Sequence, residues 1–219
     1  MQFQLNKEHC AFRDMAAEFA RNKLLPYADS WDDLNHFPVD ALREAAQLGM
    51  AGMIAKEDIG GAQLTRLDAA LIFEQLATGC VSTSAYLSIH NMVTSLIDRY
   101  ASEALRKHWG PKLTSMEVIG SYCLTEPESG SDAASLKTRA VMEGDHYVLN
   151  GEKIFVTSGQ RADSVVVWAT LDKNLGRAAI KSFVVQHGTE AMEVTRLEKK
   201  LGIKASDTAA ITFTNCRVP

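Results

Sequence analysis

A change in hydrophobic periodicity close to residue 115 constrains the fold more than any other feature of this sequence. Before it, apolar residues recur every three or four positions, as they do over residues 12–19, and this spacing predicts helices. After it, apolar residues alternate or form short runs, which predicts strands. The sequence therefore predicts an α+β chain, with an all-α N-terminal domain over residues 1–115 and a β domain over residues 116–219.

Several helical segments are expected in the first domain, each bounded by residues that cap or break a helix. Thr65 with Asp68 resembles a capping box, and Gly110-Pro111 is expected to stop the last helix. Residues 29–37 are expected to form a polar connection. The predicted helices cover residues 7–24, 38–48, 65–79, 82–100 and 102–109.

Short strands are expected in the second domain. Asn150-Gly151 separates two apolar runs, and this pair is the usual signature of a two-residue hairpin turn. Five or more antiparallel strands of this length would form a small β-barrel or sandwich. The predicted strands cover residues 118–124, the two arms of the hairpin within 147–156, and residues 164–171, 180–186 and 208–214.

Charge, hydropathy and cysteine spacing exclude several classes of protein. The net charge of −4 over 219 residues provides no basic surface for nucleic acid. No run approaches the roughly 18 apolar residues that a membrane-spanning helix needs, so no membrane partner is expected. No metal site and no disulfide framework are expected either, because the four cysteines are far apart and form no Cys-x-x-Cys pair.

Residues 1–6 show neither a signal-peptide nor a transit-peptide pattern. The expected location is therefore the cytoplasm of a bacterium, or the mitochondrial matrix if a transit peptide has been removed. Common catalytic signatures are absent as well: the dinucleotide and phosphate loops, the His-Glu-x-x-His zinc motif and the Gly-x-Ser-x-Gly elbow. These absences argue against a classical dinucleotide fold, a nucleotide triphosphatase, a zinc protease and a serine hydrolase.

The loop between the two domains, residues 120–132, is rich in small polar groups that could hold a polar ligand, and a plain connecting loop is the alternative. Within it, Glu126 and Glu128 flank a proline, and solvent exposure is expected rather than acid–base catalysis. His90 lies within a predicted helix, where a hydrogen-bonded core histidine is expected. The hydroxyl groups of the loop belong to Ser121, Tyr122, Thr125, Ser129 and Ser131.

Two linked motifs resemble the flavin-binding segments of the acyl-CoA dehydrogenase family. The first is Tyr-Cys-Leu-Thr-Glu-Pro-Glu-Ser-Gly-Ser-Asp at residues 122–132, and the second is Asn-Gly-Glu-Lys-Ile-Phe-Val-Thr-Ser-Gly at residues 150–159. The order of the two domains also resembles that family, as does the ending at residues 213–219. The helical part is most similar to the isobutyryl-CoA branch of the family, through residues 46–49, 66–68, 72–74, 76–80 and 88–92.

The resemblance implies an FAD site with a defined set of residues. Thr125 would bond the edge of the flavin ring, Phe155 would pack against its face, and Thr157 would lie near N5. Ser131 would lie where the CoA thioester and the cofactor meet. Two departures from the family pattern are Glu128, in place of a common glycine, and Phe155, in place of a tryptophan. The implied cofactor-binding residues are Tyr122, Cys123, Leu124, Thr125, Glu126, Pro127, Glu128, Ser129, Gly130, Ser131, Phe155, Val156 and Thr157.

The resemblance also implies a reaction and partners. Members of the family oxidise an acyl-CoA to a trans-2-enoyl-CoA and pass the electrons to an electron-transfer flavoprotein; a short branched substrate such as isobutyryl-CoA implies valine degradation, beside fatty acid metabolism. The full-length enzyme would be a homotetramer. The family's catalytic glutamate belongs to a C-terminal helical bundle that these 219 residues do not include. No catalytic residue is therefore assigned, and this stretch alone is expected to be inactive.

Two alternatives stay open. One is a truncated, non-catalytic relative that binds acyl-CoA or a partner through the same surface. The other is an acyl-CoA oxidase, which performs the same half-reaction with oxygen as the acceptor. A downstream glutamate would separate the first alternative from the dehydrogenase, and oxygen reactivity would separate the second.

Overall fold

The computed structural model describes residues 4–219, so that the first three positions of the N-terminal segment lie outside it. It consists of two compact units. The helical unit extends to Val118 and includes Lys200–Ser206, and the β unit comprises Ile119–Lys199 and Asp207–Pro219. The helical unit thus contains three more residues than the predicted division after 115, as well as a short segment from late in the chain.

Helices of the helical unit surround an apolar core. The core includes Leu42, Leu76, Tyr86 and Leu113, which are all fully buried. Within residues 4–219 no helix combines the length and apolar character needed to cross a membrane. The helices are α1 Lys7–Phe19, continued by a π-helical turn Ala20–Leu24, α2 Ala28–Asp33, α3 Val39–Gln47, α4 Arg66–Gly79, α5 Val81–Tyr100 and α6 Glu103–Thr114, with a 3₁₀ turn at Glu57–Ile59.

The helix boundaries confirm the capping box and correct two expectations. Thr65 and Asp68 exchange side chain to backbone hydrogen bonds at the start of α4. The expected polar connection contains α2, in which the rings of Tyr27 and Trp31 stack at 5.6 Å. Pro111 does not stop α6, because burial of the next turn outweighs the local cost of a proline inside a helix.

His90 of α5 is a buried structural residue, as expected. Its Nε2 donates to the carbonyl of Leu113 at 2.9 Å, since a carbonyl can only accept, and the Tyr86 hydroxyl lies 3.2 Å from Nδ1. Burial lowers the pKa of His90 from 6.5 to about 4. The imidazole is therefore neutral at pH 7, and it fastens α5 to the end of α6.

The β unit contains a seven-stranded curled sheet. Its strand order is β1-β4-β2-β3-β7-β6, and β5 pairs with β4 outside this path. Its core is formed by alternate residues such as Leu149, Val165, Val185 and Phe213. The strands are β1 Gly120–Cys123, β2 Arg139–Glu143, β3 His146–Thr157, β4 Ser164–Thr170, β5 Ile180–Gln186, β6 Met192–Leu197 and β7 Thr208–Val218.

The predicted α+β architecture is confirmed, but the sheet is mixed rather than wholly antiparallel. β1 pairs with β4 in parallel, with Ser121 opposite Val165, and β2 meets β4 in parallel at Arg139 and Thr170. Hydrophobic periodicity identifies strands but not their partners, which explains this difference. β2 and β6 were not predicted, because most of their residues are exposed and their apolar alternation is weak.

The expected hairpin at Asn150-Gly151 is wrong. β3 runs straight through this pair, and the two-residue turn lies earlier, at Gly144-Asp145, between β2 and β3. Gly151 serves close packing instead, because a Cβ atom there would lie 2.4 Å from Oγ1 of Thr138 and 2.7 Å from its Cα. Asn150 accepts a hydrogen bond from the backbone N–H of Asn215 at 2.9 Å, which stabilises an irregular pairing between β3 and β7.

Candidate functional site

The first motif forms a tight turn after β1. Glu126 and Ser129 exchange backbone hydrogen bonds of 3.0 and 3.1 Å, which places Pro127 and Glu128 at the tip. Glu128 is exposed and forms an ion pair with Lys137 at the surface. This side chain therefore points outward, as expected for a residue that replaces a common glycine.

Glu126 is buried, so the expectation that both carboxylates of this turn are solvated is wrong for it. Its exposure is only 5%. Its carboxylate accepts hydrogen bonds from Nζ of Lys153 at 2.7 Å and from the backbone N–H groups of Lys137 and Thr138 at 2.5 and 2.9 Å. A charge can be buried when it is paired and hydrogen-bonded in this way. The turn pattern does not reveal this, because Lys153 lies 27 residues further along the chain.

The electrostatics of this pair favour an ionised carboxylate. Burial by itself raises the pKa of Glu126, but the hydrogen bonds from Lys153 and Thr138 outweigh it, so the pKa lies below its ordinary value. Burial lowers the pKa of Lys153, and the carboxylate opposes that change. The pair is thus a fixed element of the site rather than a proton donor and acceptor for a bound molecule.

The second motif lies on β3 and contains a bulge. The pairing of β3 with β7 shifts register between Lys153 and Val156. Phe155, within this bulge, has a φ of +57° and is 60% exposed, whereas the next residue, Val156, is buried. A bulky side chain in the left-handed region is strained, and such strain concentrates at functional sites. The bulge presents an aromatic ring to the surroundings of the β unit at an energetic cost.

The structure brings the two motifs together. The backbone N–H of Ile154 donates to the carbonyl of Thr125 at 2.9 Å, and the hydroxyl of Ser121 donates to the carbonyl of Thr157. Within residues 4–219 neither the Thr125 nor the Thr157 hydroxyl group forms a side-chain hydrogen bond to the protein. Thr125 therefore lies against the residue that precedes Phe155, and Thr157 follows Phe155 by two positions on the same strand.

The predicted site residues differ in accessibility. Those that are buried contribute their backbone at most; burial raises the pKa of the Cys123 thiol to about 12, so this cysteine is inert. All four cysteines are free thiols. The buried members are Cys123, Glu126, Ser129 and Val156, the partly exposed ones are Tyr122, Leu124, Thr125 and Thr157, and the exposed ones are Pro127, Glu128, Gly130, Ser131 and Phe155.

A cavity of about 370 Å³ lies within the β unit beside the first motif. Ser131, Tyr122 and Leu124 line it together with Trp168 of β4, and Arg177 supplies a positive charge. The rings of Tyr122 and Trp168 meet edge to face at 6.3 Å. Asp132 also lines the cavity, which therefore combines an aromatic wall with a hydroxyl group and one charge of each sign.

A second cavity, of about 310 Å³, lies within the helical unit between α4 and α5. It is lined by Phe73, Ser88, Met92 and Leu96, so that it is mostly apolar. The hydroxyl-rich composition of α5 contributes little to it, because Ser88 bonds back to its own helix. Thr94, which is buried, also bonds back to the helix, through the carbonyl of His90.

Sequence reasoning missed one residue of the site, Lys153. Lys153 is fully buried, and it donates to the carbonyl of Leu124 at 3.0 Å as well as to Glu126. The sequence feature that could have revealed it is a lysine between apolar residues of a predicted strand, two positions after Gly151. Such a residue needs a buried acid, and the sequence offers no means of choosing which one.

The residues present fit a flat aromatic cofactor such as the flavin of FAD. Such a ring needs an aromatic wall for its face and short donors for its polar edge. Phe155 provides the first, and the unpartnered hydroxyl groups of Thr125 and Thr157 provide the second. Glu128 does not interfere with this donor set, because it points outward and is neutralised by Lys137.

Two family models match this chain. The N-terminal domain model of acyl-CoA dehydrogenases matches residues 6–117, and the middle domain model matches residues 121–216. Mitochondrial isobutyryl-CoA dehydrogenases of Dictyostelium discoideum and Bos taurus are 46% and 47% identical over 215 residues, which cover 98% of this chain. The chain spans about half the length of these relatives, 52% and 51%.

A solved structure has the same fold. Butyryl-CoA dehydrogenase from Megasphaera elsdenii superimposes with a TM-score of 0.93 and 30% identity, over 100% of this chain and 58% of that protein. Members of the family are flavoproteins that use FAD. The two matched domain models together leave only short ends and a three-residue junction outside them. This chain belongs to the acyl-CoA dehydrogenase family.

Proposed function

We propose that this chain is the flavin-holding and substrate-holding part of an FAD-dependent dehydrogenase that oxidises a short branched acyl-CoA such as isobutyryl-CoA. The observation that carries the proposal is Phe155, which is strained and 60% exposed on β3, next to the backbone contact between the two motifs. The β unit itself does not cover most of the Phe155 side chain, which is 60% exposed. A planar ligand packed on the ring would do so, because aromatic packing buries apolar area and adds a specific ring interaction.

FAD, when bound, would supply the hydride acceptor for oxidation of the acyl chain. Thr125 would donate to the polar edge of the ring, Thr157 would place its hydroxyl near N5, and Phe155 would cover one face and exclude water. The buried side chains of the set would shape the backbone of the loop. The proposed cofactor-binding residues are Tyr122, Cys123, Leu124, Thr125, Glu126, Pro127, Glu128, Ser129, Gly130, Ser131, Phe155, Val156 and Thr157.

Ser131 would contact the substrate thioester part, and its position in the cavity of the β unit supports this role. The aromatic wall, the hydroxyl group and the opposite charges of Arg177 and Asp132 suit a ligand that has both apolar and polar groups. The choice of isobutyryl-CoA rests on the similarity to the two isobutyryl-CoA dehydrogenases. Electron-transfer flavoprotein as acceptor and a homotetramer for the full-length enzyme complete the proposal.

No residue of these 219 is assigned as the base that removes the proton next to the thioester. The buried carboxylate of Glu126 is excluded from this role, because all its hydrogen bonds are used internally. We therefore expect this chain alone to bind cofactor and substrate without turnover. Isobutyryl-CoA added to the FAD-loaded chain under anaerobic conditions should leave the visible flavin absorbance oxidised.

FAD titration tests the proposal directly. The wild-type chain should bind FAD saturably, followed by flavin fluorescence, and Phe155→Ala should weaken binding by about tenfold, equivalent to roughly 1.4 kcal/mol of lost ring packing. Met142→Ala is the matched control, since Met142 lies on β2, outside both motifs, and is 63% exposed. Absence of binding by the wild-type chain, or equal affinities for the two variants, would contradict the proposal.

Two further outcomes of these flavin measurements would change the proposed function. Bleaching of the flavin by isobutyryl-CoA would show that a base resides in this chain after all. Reoxidation of that flavin by dissolved oxygen at the rate of turnover would indicate an oxidase.

A further inference from the structure

The buried ion pair between Glu126 and Lys153 connects the two motifs. Lys153 is 0% exposed and Glu126 is 5% exposed. The ammonium group donates to the carboxylate at 2.7 Å and to the carbonyl of Leu124 at 3.0 Å. One side chain of the second motif is therefore attached to both a side chain and the backbone of the first.

The carboxylate extends this connection to a third segment. It accepts from the backbone N–H groups of Lys137 and Thr138, which lead into β2. Thr138 is also the residue on which Gly151 packs. The turn of the first motif, the start of β2 and the middle of β3 thus meet at the buried carboxylate of Glu126.

The strained bulge lies directly beside this pair. Phe155 follows Lys153 by two positions, and a left-handed conformation of a bulky residue persists only where its surroundings determine it from several sides. Lys153 holds the bulge at one end, and the Ser121 hydroxyl holds the carbonyl of Thr157 at the other. Between them, the Ile154 N–H donates to the carbonyl of Thr125.

Stability by itself does not explain a charged pair at this place. Replacing a buried ion pair by apolar side chains of similar volume is commonly neutral or stabilising. The inward-facing residue Leu149 of the same strand is apolar and fully buried. What the pair provides that apolar groups do not is a directional attachment between particular atoms of two segments.

We propose that Glu126–Lys153 is a positioning pair, which sets the distance and orientation between Thr125 in the first motif and Phe155 in the second. The pair does not touch the ligand itself. The identity of that ligand as a flavin rests on the proposed function, whereas the positioning of the two segments does not. Loss of the pair releases the Phe155 bulge from the Thr125 segment, and affinity for the flat ligand decreases as a result.

Lys153→Met tests the proposal, because methionine has a similar length and cannot make the attachment. The measurements are the native-state hydrogen exchange of the Ile154 N–H, the FAD dissociation constant and the urea midpoint. Lys153→Met should speed Ile154 exchange and weaken FAD binding, each by about tenfold or more, since a factor of ten corresponds to one lost hydrogen bond.

Leu149→Ala is the matched control. It removes a fully buried side chain from the same strand and lowers the urea midpoint, but it leaves the attachment intact. Ile154 exchange and FAD affinity should then stay within about twofold of the wild-type values. If Lys153→Met does not fold, Glu126→Gln keeps the shape of the side chain and receives the same measurements.

The possible failures are distinguishable. Unchanged Ile154 exchange in the Lys153 variant, or an equal increase in the Leu149 variant, overturns the positioning role whether or not FAD binds. A wild-type chain that binds no FAD contradicts the proposed function instead, and the exchange measurement still decides on the pair.

Discussion

Met116 and Phe155 have the same unusual backbone conformation and opposite environments. Both have a φ of +57°, in the left-handed region that large side chains avoid. Met116, in the helical unit, follows the end of α6 and is 0% exposed. Phe155, in the β unit, lies in the bulge of β3 and is 60% exposed. The same backbone strain therefore occurs with a buried side chain in the helical unit and with an exposed side chain in the β unit.

The difference separates a structural use of strain from a functional one. At Met116 the strained residue ends a helix at a position where glycine is usual, and burial of the thioether offsets the cost within the same unit. At Phe155 no burial within the unit offsets the cost. A strained aromatic ring that is left uncovered suits a ligand that packs on it, and this argument supports the proposed flavin site.

The largest expected effect concerns Met116. Met116→Ala keeps the strained backbone and removes the buried side chain, so the free energy of unfolding should fall by about 2 to 5 kcal/mol. Urea unfolding of the helical unit measures it. Met116→Gly should recover about 1 kcal/mol of that loss, because glycine adopts positive φ without strain. Equal stability of the two variants would show that the backbone at this position is not strained.

The response to acid should differ between the units. The pKa of His90 is about 4 when folded and 6.5 in the unperturbed state, so the folded state binds fewer protons. The contribution of neutral His90 to the free energy of unfolding is therefore fully present above pH 6.5. Up to about 3 kcal/mol of it is lost as the pH falls towards 4, at roughly 1.4 kcal/mol per pH unit.

The β unit should respond at lower pH. The folded pKa of Glu126 lies below its ordinary value of 4.5, so its contribution is present above that pH and is lost as the pH falls through the folded pKa. Residue-resolved hydrogen exchange against pH distinguishes the two units. His90→Gln should remove the loss between pH 6.5 and 4; if it does not, another group causes it.

A smaller effect is expected at Gly151. The added methyl group of Gly151→Ala would lie 2.7 Å from the backbone Cα of Thr138, and the β unit should lose about 1 to 3 kcal/mol. Gly144→Asn is the control, since that hairpin turn has open space and asparagine tolerates its φ of +68°. A tolerated alanine at 151 would contradict the close approach of β3 and the start of β2.

The smallest expected effect, and the only one of opposite sign, concerns Phe155. Phe155→Gly removes a strain of roughly 1 to 2 kcal/mol and costs about 0.5 to 1 kcal/mol in unfolded-state entropy. The β unit should therefore gain up to about 1.5 kcal/mol while FAD affinity falls. A loss of stability comparable to that of Met116→Ala would mean that the Phe155 ring supports the fold, and the comparison would fail.

Local chemistry explains which features of the fold the sequence could predict. The capping box of α4, the long α5 and the strands β4 and β5 depend on neighbours within a few residues, and all were predicted. The hairpin turn was misplaced because Asn-Gly suits both a turn and a close packing site. Which of the two applies depends on Thr138, which is distant in sequence. The weak alternation of β2 and β6 left them unpredicted.

For the candidate site, the two motifs could be recognised from their residues alone, but their relation could not. The sequence by itself determined the order of a helical and a β region and the family. Only the tertiary structure decided that Glu126 is buried on Lys153, that Phe155 is strained and exposed, and that the two motifs adjoin. The physical reason is that burial and pairing depend on residues brought together from distant parts of the chain, whereas capping and periodicity depend on neighbours.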